Sequence, residues 1–117
     1  MKILLVDDER KFVSALAERL SLRGIEADWA TSSDDALSMA TQESYNLAVL
    51  DVKMPSISGI ELKRRLQKIS PDMKFIFVTG HGSEEDYKIG SKEAFGYIIK
   101  PFNIEHLVEK IKEALDI

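Results

Sequence analysis

The 117-residue chain has no cysteine, which removes disulfide frameworks and thiolate metal sites and fits a reducing compartment. It has no positive excess either. The net charge of −4 leaves no basic footprint for nucleic acid and no polybasic patch for a membrane surface. Long hydrophobic runs are also missing, since every apolar stretch falls far short of the ~20 residues that span a bilayer. The N-terminal stretch is cut by Asp7-Asp8-Glu9, which a signal-peptide core does not tolerate. With three prolines, six glycines and no repeat or linker, the chain is neither fibrous nor low in complexity. What is present, 44% hydrophobic and 31% charged residues, suits one soluble cytoplasmic domain over 1–117. A chain of this length can bury roughly two thirds of its unfolded surface.

Short apolar runs alternate with amphipathic stretches throughout. Ile3 to Val6 reads as a strand, and Phe12, Val13, Leu16 and Leu20 then recur at helical spacing up to a capping Gly24. Ile25, Ala27 and Trp29 alternate with Glu26 and Asp28, as on an edge strand. Ser32 and Asp35 suggest a capping box for a helix carrying Ala36, Leu37 and Ala40. Leu47 to Asp51 is the third strand. Gly59 opens a third helix with Leu62, Leu66 and Ile69 inward, stopped by Pro71. Lys74 to Thr79 is the fourth strand, and Ser83 with Asp86 can cap a fourth helix, weakened by Gly90 and Ser91. Phe95 to Ile99 is the fifth strand. Asn103 then caps a last helix carrying Ile104, Leu107, Val108, Ile111 and Leu115. Five strands alternating with five helices predict an α/β (βα)5 doubly wound domain with a parallel sheet covered on both faces. The flavodoxin-like order 2-1-3-4-5 is the expectation for this class, since periodicity supplies the alternation and not the order.

In that order the strand ends converge. The first runs into Asp7-Asp8, the third ends on Asp51, the fourth on Thr79, and the fifth reaches Lys100-Pro101. Parallel α/β folds place their chemistry at this rim. Three crowded carboxylates raise at least one pKa unless a cation sits among them. Hard oxygen ligands suit Mg²⁺, with Mn²⁺ or Ca²⁺ as substitutes. Mg²⁺ favours one or two carboxylates, waters and a phosphate oxygen, so a phosphoryl group is the natural missing partner. Aspartate can act as a nucleophile towards phosphorus. Lys100 offers a compact charge for phosphoryl oxygens, Thr79 a hydroxyl donor, and Gly80 leaves room for a donor molecule.

The set Asp7-Asp8, Asp51 with Met54-Pro55, Thr79-Gly80, and Tyr97 through Lys100-Pro101-Phe102 resembles the receiver domain of two-component response regulators. The motifs stand in family order across essentially the whole chain. The resemblance implies that Asp51 accepts a phosphoryl group from a sensor histidine kinase or phosphotransfer protein. It implies Mg²⁺ held by Asp8, Asp51 and the Lys53 backbone carbonyl, with Asp7 acting through a water. Thr79 and Tyr97 match the switch pair, and Lys100 the lysine that salt-bridges the phosphoryl group before a cis proline bond. Lys53 and His81 match positions that tune the phosphoryl lifetime. The implied output surface is the fourth helix, fifth strand and fifth helix. There the sequence departs from the family, with Glu93 in place of glycine and Gly90-Ser91-Lys92 in a usually alanine-rich helix. A downstream effector domain or protein is implied but not identified, and the receiver either stands alone or opens a longer regulator.

Each residue also has a plainer use. Asp7-Asp8-Glu9 alone could simply favour a helix start, worth about 0.3–1 kcal/mol per charge. Tyr97 alone could be core packing, and His81 and His106 solvated side chains. Three other functions compete. An aspartyl-phosphate phosphatase or phosphotransferase typically carries an acid two residues past its nucleophile, where this chain has Lys53. A flavin binder needs a glycine-rich loop after the first strand, where this chain has acids. A docking domain independent of phosphorylation would not need the acceptor set. The expectation is a phosphoacceptor, not a multiple-turnover enzyme.

Overall fold

The computed structural model describes residues 1–80 and 94–117. The fourth helix expected from Ser83, His81, and the Gly90 to Glu93 segment lie outside the described residues. Strands β1 (Lys2–Val6), β2 (Glu26–Ala30), β3 (Leu47–Asp51), β4 (Lys74–Thr79) and β5 (Gly96–Ile99) form one parallel sheet. Its order is β2-β1-β3-β4-β5, as the doubly wound class led us to expect. The described helices are α1 (Arg10–Leu22), α2 (Ser33–Gln42), α3 (Gly59–Ile69) and the C-terminal helix (Ile104–Leu115).

Strand periodicity divides the core in two. Ile3, Leu5, Leu47, Val49, Ile76, Val78 and Ile98 pack against α1 and the C-terminal helix. Their neighbours Leu4, Val6, Ala48, Leu50, Phe75 and Phe77 pack against α2 and α3. Continuous apolar strands are the consequence of covering both faces. Burying each such Leu, Ile or Phe contributes roughly 1.5–3 kcal/mol.

Local chemistry sets the helix ends. Gly24 adopts φ +78, which a side chain disfavours. Its N–H donates to Ser21 O, and the Ile25 N–H to Leu20 O, closing α1 as a Schellman turn with Leu20 and Ile25 both buried. Ser32 Oγ accepts from Asp35 N–H, Ser58 Oγ from Glu61 N–H, and Asn103 Oδ1 from His106 N–H.

Three details differ from expectation. Ile69 is not inward; it is the last residue of α3, beyond the packed turns, and is 40% exposed. Ala114 replaces Leu115 as the buried residue of the last turn, with Leu115 only partly covered. Phe95 falls outside β5 and is 52% exposed, although its N–H still donates to Phe75 O. No helix among the described residues is long and apolar enough to cross a membrane.

Candidate functional site

The register fixes the site. Pairing Val6 with Leu50 leaves Asp7 and Asp51 as the next residues on adjacent strands. Carboxylate oxygens of Asp7, Asp8 and Asp51 all lie within 4.8 Å of one another, the only such metal-capable group among the described residues. Asp7 and Asp51 are buried, while Asp8 is exposed and faces the solvent side of the group. Asp7 is tied down by its backbone, since its N–H donates to Ala30 O at 3.1 Å and its Oδ1 accepts from Glu9 N–H at 2.9 Å.

Asp51 is 6% exposed, and its Oδ1 accepts from the Lys53 N–H at 3.3 Å. Burial pushes its carboxyl up to about 6, and Asp7 and, less strongly, Asp8 push in the same direction. Lys100 and the Lys53 N–H pull it back without cancelling the rise. Such a group is poorly compensated where it stands.

Lys100 arrives from the other end of the chain. Its Nζ donates to Asp7 Oδ2 at 2.7 Å and to Glu9 Oε1 at 3.2 Å, and it lies 4.4 Å from the Phe12 ring centroid. Phe12 is braced edge-on by Phe102, with centroids 6.1 Å apart. Burial draws the Lys100 ammonium down, but the bond to Asp7 and the fields of Asp7 and Asp51 raise it overall, so it stays charged. Its backbone N–H donates to Thr79 O at 2.6 Å, and the Lys100-Pro101 bond is cis.

Thr79 is fully buried, and its hydroxyl has no hydrogen-bond partner among the described residues. A buried, unsatisfied hydroxyl is costly and needs an explanation. The Tyr97 ring is half-buried against the α2–α3 layer, with its hydroxyl oxygen shielded from solvent. Gly80 directly follows β4, with no described atom within 4 Å of a Cβ built there. An open cleft of about 460 Å³ beside Asp51 is lined by Val52, Lys53, Met54, Pro55 and Ser58. A larger cavity of about 610 Å³ opens at the opposite end of the sheet, around Tyr45, Asn46 and Met73, away from the clustered acids. Charge locates the site; volume does not.

Asp7, Asp8, Asp51 and Lys100 are thus brought together, and Lys100 bonds to Thr79 through the backbone. His81 lies outside the described residues. Three contributors escaped the sequence reading. Glu9 passed as one acid of a run, and Phe12 as a core residue. Gly59 passed as a helix opener, yet a Cβ there would stand 2.2 Å from the Asp51 carbonyl oxygen. Its N–H donates to Val52 O at 2.8 Å, so the start of α3 lies directly against the strand end bearing Asp51. A glycine at the first helical position was the only available hint.

A family model described as response regulator receiver domain matches residues 3–112. The chain is 35% identical over 114 residues to the uncharacterized transcriptional regulatory protein YkoG of Bacillus subtilis, covering 97% of this chain and 50% of that protein. It therefore spans about half the length of the curated relatives it matches. Among solved structures it resembles a receiver domain protein of Methanospirillum hungatei, described as CheY-like. There the TM-score is 0.92 and the identity 38%, with 98% and 93% of the two chains covered. It also resembles the response regulator TrrA of Thermotoga maritima in complex with Mg²⁺-BeF. That match has TM-score 0.85 and identity 36%, with 97% of each chain covered.

Proposed function

The chain belongs to the response regulator receiver domain family, and on that premise we propose that transfer of one phosphoryl group to Asp51 switches it. The observation that carries this reading is the buried Asp51 carboxylate, crowded by Asp7 and Asp8 and faced by a charged lysine. A divalent cation fits the donor set, which consists of hard oxygens only and leaves Asp51 undercompensated. Asp8, Asp51 and the Lys53 carbonyl would hold Mg²⁺, or Mn²⁺ in its place, with Asp7 contributing through a water. When bound, the ion neutralises the carboxylates and offers a position for a phosphoryl oxygen.

The chain's own residues do the rest. An Asp51 oxygen attacks the phosphorus of a phosphohistidine on a sensor kinase or phosphotransfer protein. The P–O bond forms as the P–N bond breaks, and the departing imidazole keeps the electron pair and takes a proton from solvent. Lys100 then faces the new negative charge as a compact cation. Thr79, whose hydroxyl lacks a partner among the described residues, donates to a phosphoryl oxygen. Gly80 leaves the approach open. Tyr97, half-buried beside β4, follows the Thr79 hydroxyl and carries the change to the surface that includes β5 and the C-terminal helix. Lys53 and His81 set the phosphoryl lifetime.

The domain comprises residues 1–117, works in the cytoplasm, and passes its signal to an effector domain or protein. It is a stoichiometric acceptor. The residue two positions past Asp51 is Lys53, an amine and not the acid that an aspartyl-phosphate phosphatase uses there, so phosphate monoesters are not turned over. Incubation with Mg²⁺ and phosphoramidate should add one phosphoryl mass to the intact protein, and none to Asp51→Asn. An unmodified wild-type mass, or steady hydrolysis of a monoester, would refute this function.

A further inference from the structure

We infer that Glu9 is a positioning residue for the phosphoryl switch, drawing the Lys100 ammonium towards the rim of the site and so restraining phosphorylation of Asp51. The inference rests on Asp51 being the acceptor. Glu9 occupies the position just before α1, with extended backbone angles of φ −84 and ψ 92. A side chain at this position normally accepts a backbone N–H from the first turn of the helix. That of Glu9 accepts none. Its Oε1 instead lies 3.2 Å from Lys100 Nζ.

Lys100 has three N–H donors, and its ion-pair partners among the described residues are Asp7 and Glu9, not Asp51. The two anchors differ sharply in exposure. Asp7 is buried within the acid cluster, whereas the Glu9 side chain is 66% exposed. Glu9 therefore holds the ammonium from the solvent side, while Asp51 lies on the interior side at 6% exposure. The Phe12 ring, 4.4 Å away, lets the ammonium rest there without full hydration. A phosphoryl group on Asp51 must compete with Glu9 for this cation. Because the pair is exposed and screened, it is weak, and its removal should change rates only a few-fold.

Wild type, Glu9→Gln and Glu9→Asp are compared with Mg²⁺ and phosphoramidate, following the intact mass over time and checking by urea unfolding that each is folded. Glu9→Gln should be phosphorylated roughly two- to fivefold faster than wild type. Glu9→Asp keeps the charge but shortens the reach, and aspartate at this position prefers to cap the helix. It should therefore match the glutamine variant. A Glu9→Gln rate within about 1.5-fold of wild type, or slower, overturns the inference. So does a fast Glu9→Gln beside a wild-type-like Glu9→Asp, because charge near the site, and not the grip on Lys100, would then explain the effect. If wild type itself takes no phosphoryl group, the acceptor reading fails, and this inference with it.

Discussion

Replacing Asp51 with asparagine should make the metal-free protein more stable at neutral pH. The Asp51 carboxyl is raised from its ordinary 3.8 to about 6, chiefly by burial and then by Asp7. A rise of about two units corresponds to about 3 kcal/mol, at roughly 1.4 kcal/mol per unit. The native state binds this proton more tightly than the unfolded chain does, so the ionised carboxylate destabilises the fold. That cost is fully present above pH about 6, shrinks as pH falls through the folded value, and is gone below the unfolded value. Asparagine keeps the shape and removes the charge. In EDTA at about pH 7.5 the variant should gain about 2–3 kcal/mol, falling to about 1 kcal/mol near pH 4.5. Urea unfolding with an unchanged m-value reads the difference as a shift in midpoint. Millimolar Mg²⁺ should narrow the gap, because an ion bound by native wild type stabilises it by mass action. Equal midpoints at pH 7.5 without divalent ions, or a gain that grows on acidification, would refute the electrostatic reasoning.

Gly59→Ala forces a Cβ to within 2.2 Å of the Asp51 carbonyl oxygen. It should cost roughly 1–3 kcal/mol in urea unfolding and slow phosphorylation by displacing the strand end. Thr79→Val removes a buried hydroxyl without a partner among the described residues, so stability should hold or rise by about 1 kcal/mol. Phosphoryl occupancy under the same donor should fall, and a fall in stability with unchanged occupancy would contradict the role given to Thr79. Tyr45→Phe loses the 2.7 Å bond from the tyrosine hydroxyl to Asp28 Oδ2 at the far end of the sheet. It should cost about 1 kcal/mol and leave the phosphorylation rate unchanged.

Much of the fold was legible because its signals are local. The apolar runs ending at Val6, Asp51 and Thr79 each became a strand with that boundary. Ser32, Asn103 and Gly24 announced helix ends through side-chain and backbone chemistry that spans only a few residues. Errors arose where packing, and not periodicity, decides. Ile69 has the spacing of a core residue but stands at the end of α3, past the region the sheet covers.

The amino-acid order by itself determined which residues stand at strand ends and that both sheet faces are buried, since side-chain alternation and helical spacing are short-range properties. The resemblance built on those end residues then named the family. Only the tertiary structure decided that β1 and β3 are neighbours, so that Asp7, Asp8 and Asp51 crowd within 4.8 Å. It alone joined Lys100 to Asp7 and Glu9 across more than 90 residues of chain, and pressed Gly59 against the Asp51 carbonyl. Those contacts come from strand pairing between distant segments, which no local pattern encodes. They shift the Asp51 carboxyl and steer the lysine, and so convert a row of polar strand ends into a site.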